Sequence, residues 1–244
     1  MELKHTILLS ALLLIGCEQE QWDDCITSAG PTRNEERIVG DFHTIDLDDR
    51  VDLVIEERAD GSVSVEAGVN LLGQITTEVS DGTLKVRNGM RCNWVRSFKP
   101  RVTVHVPVDQ LAKLVVRGTG NITCADTIIR DRFELEQWSA QGSTSLLLNV
   151  TSCSIALHTG AGDVSLMGRC VQTADLFSGI MGPIDASGMR ARLVNVNNSG
   201  IADIRCWADI GLDVQIRDVG DVYYRGDPVT LNSDITGSGS LIQD

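Results

Sequence analysis

Aromatic residues are scarce in this chain of 244 residues: two Tyr, four Phe and four Trp, or 4%. So few rings are an unusual balance for an enzyme with a pocketed core. Histidine is equally sparse, and His5, His43, His105 and His158 fall into no Ser-His-Asp arrangement. There is no Gly-x-Ser-x-Gly elbow and no glycine loop of the kind that cradles phosphate. No Cys-x-x-Cys or His-containing ligand cluster occurs either, so no metal and no cofactor is expected. Basic residues are outnumbered, 21 Lys and Arg against 34 Asp and Glu, giving a net charge of −13. A chain this acidic repels phosphate backbones, which argues against nucleic-acid binding. The acid is concentrated early, with 14 Asp and Glu against four Arg in residues 17–60. No helix of normal length is readable beyond the first residues. What the chain does have is 42% hydrophobic residues, too many for a disordered polymer, and 23 glycines.

Residues 1–16 read as a signal peptide. Lys4 and His5 precede an apolar run from Ile7 to Ile15 that is too short to span a bilayer. The run ends at Leu14-Ile15-Gly16-Cys17, which resembles the bacterial lipobox, in which cleavage precedes a cysteine carrying diacylglycerol. On that reading Cys17 is the lipidation site and the membrane is a partner through the anchor. The alternative is an ordinary secretory signal with an incidental cysteine. Residues 17–41 form an acidic tether. With no Asp after Cys17, and with Glu18, Glu20, Asp23 and Asp24 nearby, an outer-membrane lipoprotein exposed at the cell surface is expected. The same charge run also serves as a plain solvated tether.

Six further cysteines remain: Cys25, Cys92, Cys124, Cys153, Cys170 and Cys206. An oxidising envelope permits disulfides. A Cys25–Cys92 bridge would pin the tether to the body. The other four fall within β segments, where a free cysteine behaves as a small buried hydrophobe.

From residue 42 to 117 the pattern is short strands with period-two alternation, as in Val51-Asp52-Leu53-Val54-Ile55 and Thr83-Leu84-Lys85-Val86-Arg87. Asp60-Gly61 and Asp81-Gly82 supply turns between them. Val69 to Ile75 reads as one short helical turn. From residue 118 a short corner containing glycine recurs, with first positions 118, 140, 160, 179, 200, 218 and 237, as in Gly118-Thr119-Gly120-Asn121-Ile122 and Gly160-Ala161-Gly162-Asp163-Val164. Seven corners at a near-constant period, separated by alternating strands, predict a β-solenoid in which each coil covers its neighbour's apolar face. Glycine at the corner is expected for its access to positive φ. Coils about 4.8 Å apart would build a body roughly 30 Å long.

Phe42-His43-Thr44-Ile45, the segment Thr77 to Val86, Val104-His105-Val106-Pro107 and the glycine corners together resemble the family known as the putative auto-transporter adhesin, head GIN domain, of Bacteroidetes lipoproteins. The resemblance covers residues 42–244 and implies an all-β, right-handed β-helix-like solenoid, with residues 42–117 capping and merging with the coils of 118–244. It implies no catalytic residues. At Gly179-Ile180-Met181-Gly182-Pro183 the chain departs from the pattern, with one corner remodelled.

The fourth corner position gives a column of Asn121, Ser143, Asp163, Asp203, Asp221 and Ser240. Stacked acids can hold Ca²⁺, but a period near twenty differs from the nine-residue calcium rolls, and Asp and Asn also suit turns by bonding local amides. Paired carboxylates with a basic group would mark a carbohydrate-active enzyme, a lyase or hydrolase. Arg190, Arg192, Arg205 and Arg217 beside Asp185, Asp203 and Asp218 are the candidates, and a charged outer face gives the same pattern. Of the rings suited to stacking on sugars (Trp22, Trp94, Trp138, Trp207, Tyr223 and Tyr224), Trp94 with Arg91 and Arg96 is the most ligand-like setting. Surface recognition or adhesion without catalysis is the expected function, with a glycan or protein surface as ligand. An enzyme or an envelope scaffold is the alternative. The closing segment, Ser240 to Asp244, lies within a strand, so self-association through the C-terminal edge is a further expectation.

Overall fold

The computed structural model describes residues 28–59, 61–90 and 101–244. Nine short strands come first: β1 (Thr32–Arg37), β2 (Thr44–Leu47), β3 (Asp52–Glu56), β4 (Val63–Gly68), β5 (Ile75–Ser80), β6 (Thr83–Asn88), β7 (Thr103–Pro107), β8 (Lys113–Val116) and β9 (Ile122–Cys124). Five long ones follow: β10 (Ile128–Ala140), β11 (Thr144–Gly160), β12 (Val164–Ser178), β13 (Ile184–Asn198) and β14 (Ile204–Ile216). The last are β15 (Val222–Arg225), β16 (Thr230–Ile235) and β17 (Leu241–Gln243). The expected helical turn is a single 3₁₀ turn at Leu72–Gln74.

Each long strand bends midway, so one strand contributes to two walls. Register shifts at Val150/Ser152, Cys170/Thr173 and Ala191/Leu193 mark the bends. Wall A stacks β7, β3, β9 with the first half of β10, and the first halves of β11 to β14, then β15 and β17, all parallel. Wall B stacks β6, β2, β8, the second halves of β10 to β14, and β16, again all parallel. The glycine corners carry the chain from wall B back to wall A. The result is a β-solenoid of about seven turns with an N-terminal β region.

Alternation places one apolar row of each wall inside. Leu84, Ile45, Leu114, Leu135, Ile155, Leu176, Val196 and Val214 pair in register down wall B, each at most 2% exposed. Across from them, Val164, Ile184, Ile204 and Val222 stack on wall A. Each such side chain contributes about 1.5–3 kcal/mol by leaving water. A narrow interior filled by branched aliphatics leaves little room for rings, which accounts for the scarcity of aromatics.

The N-terminal region caps the stack by a route that is not sequential. The β2–β3 layer lies between two layers that come later in the chain: Ile45 pairs with Leu84 of β6 and with Leu114 of β8, and Leu53 pairs with Val104 of β7 and Ile122 of β9. Antiparallel strands then close the end, β5 on β6 in wall B, and β4 on β7 with β1 outermost in wall A. The β5–β6 hairpin turns at Asp81 and Gly82, both with positive φ, as Asp-Gly predicts.

The reason for the corner glycines differs from the expectation. Of the corner positions only Gly160 has positive φ. At most corners the constraint is crowding between coils, borne by one glycine of each: a Cβ on Gly142 would lie 2.0 Å from the carbonyl oxygen of Gly120, and one on Gly182 would lie 1.9 Å from that of Gly162, whereas Gly179 has room. Glycine is required because successive corners stack backbone on backbone, with no room for a side chain between them.

Candidate binding surface

The corner column is a hydrogen-bonded ladder. Asp203 Oδ1 accepts the backbone N–H of Asp221 at 3.1 Å, and Asp221 Oδ1 accepts that of Ser240 at 2.7 Å. Asn121 Oδ1 accepts the Ser143 N–H, and Asp52 continues the ladder by accepting that of Asn121. The Ser143 hydroxyl donates to Asp163. These oxygens peg one coil to the next. Among the described residues no group of three His, Cys, Asp or Glu converges as a cation site would require.

Of the arginines and acids singled out in the sequence, Arg205 stands in register with Asp185 on the neighbouring coil, but the ion pairs run to other acids. Arg190 pairs with Asp209 at 2.9 Å, Arg205 with Asp244 at 3.0 Å and Arg217 with Asp234 at 2.7 Å. Asp185 accepts the N–H and hydroxyl of Ser187. Arg190 and Arg205 therefore reach neither Asp185 nor Asp203 by an ion pair. Cys17, Cys25, Arg91, Cys92, Trp94 and Arg96 lie outside the described residues.

Charge is instead sorted between the walls. Outward on wall B, one register row reads Lys113, Glu134, Ser154, Asp175, Asn195, Asp213 and Asn232. Asn195 donates to Asp175 at 2.7 Å. Lys113 Nζ lies 2.7 Å from Glu136 and 3.3 Å from Glu134. The hydrogen bond from Lys113 holds Glu136 below the usual carboxylate range against its burial, and Glu136 in turn raises Lys113. Trp138 donates Nε1–H to Glu136 and stacks on His158, with centroids 3.9 Å apart and planes at 13°.

Outward on wall A, the row in register is Asn149, Arg169, Arg190, Trp207 and Arg225. Beside it runs Ser145, Ser165, Asp185, Arg205 and Tyr223. Within each row an arginine meets a ring on the next coil. The Arg190 guanidinium lies 5.2 Å from the Trp207 centroid, and that of Arg205 lies 4.2 Å from Tyr223. Arg169 and Arg225 are exposed, with no ion pair among the described residues. These two were missed in the sequence, whereas Arg190, Arg205, Trp207 and Tyr223 were noted without being brought together.

The four cysteines in the coils are free. Burial pushes the Cys206 thiol up to about 12. Cys153 and Cys170 touch: the hydrogen bond between them, with burial, raises Cys153, and the same bond lowers Cys170.

A two-walled parallel β-solenoid capped by antiparallel strands defines the class of molecule. The chain belongs to the family described as "Putative auto-transporter adhesin, head GIN domain", which matches residues 41–228. Among solved structures it is similar to a putative adhesin from Bacteroides fragilis, with 22% identity and a TM-score of 0.76 over 88% of this chain and 97% of that one. A putative adhesin from Parabacteroides distasonis shares 17% identity at a TM-score of 0.65, covering 88% and 98%. A putative lipid binding protein from the same species shares 21% identity at a TM-score of 0.59, covering 88% and 97%. These likenesses establish the fold. No curated protein sequence matches the chain.

Proposed function

We propose that the chain is a cell-envelope lipoprotein, held at the outer membrane through lipidated Cys17 and exposed at the cell surface, that acts by recognising a surface ligand and not by catalysis. The observation that carries this reading is the pair of long, register-aligned side-chain rows on solvent-facing walls. Such rows present a repeated chemical pattern to an extended partner. The corner carboxylates support it too, since their oxygens hold backbone amides instead of converging on a scissile bond. The structural relatives named adhesins agree with a surface role. A Cys25–Cys92 bridge belongs to this proposal as the tie between tether and body, and self-association through the C-terminal edge as a means of clustering.

The test is a glycan and matrix-protein array probed with the soluble mature chain, starting at Glu18. Saturable binding without fragmentation of the ligand is expected. Absence of binding to every surface, or release of sugar fragments, would sink the recognition reading. Membrane fractionation tests the anchor separately: Cys17→Ser should move the protein out of the membrane fraction, and equal retention would remove the lipid anchor.

A further inference from the structure

Wall A carries a feature that a solvated charged face does not require. In a protein of net charge −13, four arginines (Arg169, Arg190, Arg205 and Arg225) occupy two adjacent rows over four consecutive coils. Wall B over the same coils shows Asp175, Asn195, Asp213 and Asp234, the last paired with Arg217, whereas the two wall A rows over these coils hold one carboxylate, Asp185. Sorting of this kind directs an anion to one wall.

Two of the guanidiniums are also held against rings. A guanidinium drawn to a ring by cation–π attraction spends none of its N–H donors on a hydrogen-bond acceptor there. The Arg190 guanidinium lies over Trp207 and that of Arg205 over Tyr223, within cation–π range. Each has one carboxylate partner, Asp209 and Asp244 respectively, which leaves most of its five donors unused. Arg169 and Arg225 flank them at successive coil steps of about 4.8 Å. Ser145, Ser165 and Asn149 extend the same rows as hydroxyl and amide groups suited to sugar hydroxyls.

We propose that the arginine–aromatic face of wall A binds an acidic polysaccharide, a chain bearing a carboxylate or sulfate on its sugar rings, laid along the solenoid axis. The inference rests on the surface-recognition reading and names its ligand class. Planar carboxylates and sulfates match the guanidinium fork, and one repeating anion per sugar unit matches a cation repeated coil by coil. Nucleic acid fits poorly, because a polymer carrying one charge per ~1.7 Å meets the repulsion of the whole acidic molecule.

The experiment uses the soluble mature chain and immobilised probes: polygalacturonate, chondroitin sulfate, neutral dextran, duplex DNA, and vesicles of anionic phospholipid. Salt-sensitive binding to at least one of the acidic polysaccharides, with none to dextran, DNA or vesicles, is expected. The triple variant Arg169→Gln, Arg190→Gln and Arg225→Gln should weaken that binding more than a hundredfold while leaving the melting temperature within a few degrees, since all three side chains are exposed. The matching Arg→Lys triple should restore part of it, as charge without the fork allows. A wall B control, Asp175→Asn with Asp213→Asn, should bind no more weakly than the parent. Equal binding by parent and Gln triple would overturn the assignment to this wall while leaving recognition intact. Binding to DNA or vesicles in place of acidic polysaccharide would overturn the ligand class. Array binding confined to neutral glycans or proteins would overturn this proposal and spare the broader one.

Discussion

Gly142 lies directly under the carbonyl of Gly120, so close that a methyl group on Gly142 would come within 2.0 Å of that oxygen. Gly142→Ala should therefore destabilise the fold by about 1–3 kcal/mol, the usual cost of overpacking, because the atom in the way is backbone and cannot rotate aside. Gly73 is the control. It has negative φ and nothing within 4 Å of its would-be Cβ, so Gly73→Ala should be neutral or stabilising by up to about 1 kcal/mol. Urea denaturation of the two variants checks the pair, and equal effects would refute the crowding argument.

The corner ladder predicts a cost for removing a single oxygen. Asp221 accepts the Ser240 N–H, while its own N–H donates to Asp203. Asp221→Ala should lose about 1–2 kcal/mol, and Asp221→Asn, which keeps an accepting oxygen, should recover most of it. Thermal melts with calcium and with chelator should coincide if the column serves only as a ladder. A calcium-dependent rise in melting temperature would show that these carboxylates do more.

The solenoid was legible in the sequence because inter-coil crowding demands glycine at every corner, which prints a visible period. The wall A row was not legible. Counted from the corner, Arg169 is nine residues after Gly160, Arg190 is eleven after Gly179, and Trp207 is seven after Gly200. Bulges absorb the difference: Gly168 has positive φ, and the register slips between Ser165 and Met167 and between Asp185 and Arg190. Fixed spacing therefore scatters residues that the fold aligns. The interleaved β2–β3 layer was hidden for a different reason. Its neighbours are β6, β7, β8 and β9, and period-two alternation says which face is buried but not which strand lies beside it.

The Lys113–Glu136 pair predicts a pH dependence of defined sign. Glu136 is depressed in the folded state, so its contribution is present above the ordinary carboxylate range and is lost as pH falls through its folded value. Lys113 is raised, so its contribution is present below the ordinary lysine range and is lost as pH rises through its folded value. Both side chains are about one-third exposed, which limits the pair to roughly 0.5 kcal/mol. Lys113→Met should lower the urea midpoint slightly at neutral pH and have less effect in acid, as pH falls through the carboxylate's depressed folded value. A larger loss in acid than at neutrality would contradict the sign.

At the far end of the stack the inner rows continue to an uncovered layer. Leu231 lies in register on Leu212 and Ile235 on Ile216, yet Leu231 and Ile235 are 42% and 43% exposed while the residues beneath them are at most 2% exposed. All six residues of β16 are exposed, and among the described residues β16 pairs only with β14 and β17 only with β15. A free parallel edge with apolar side chains at its inner face invites another strand. Arg217 with Asp234, and Arg205 with Asp244, place charge beside it, and this is the usual means of blunting an edge. Their exposure allows them to hold only weakly, at most about 1 kcal/mol each. Association through this end should slow amide exchange in residues 230–243 as protein concentration rises, with wall strands such as β12 unchanged. Leu231→Lys with Ile235→Lys should abolish that concentration dependence and leave the melting temperature of dilute protein nearly unchanged, because neither side chain is buried in the single molecule. Exchange in β16 that is independent of concentration would mean that the charged pairs suffice to keep the edge apart.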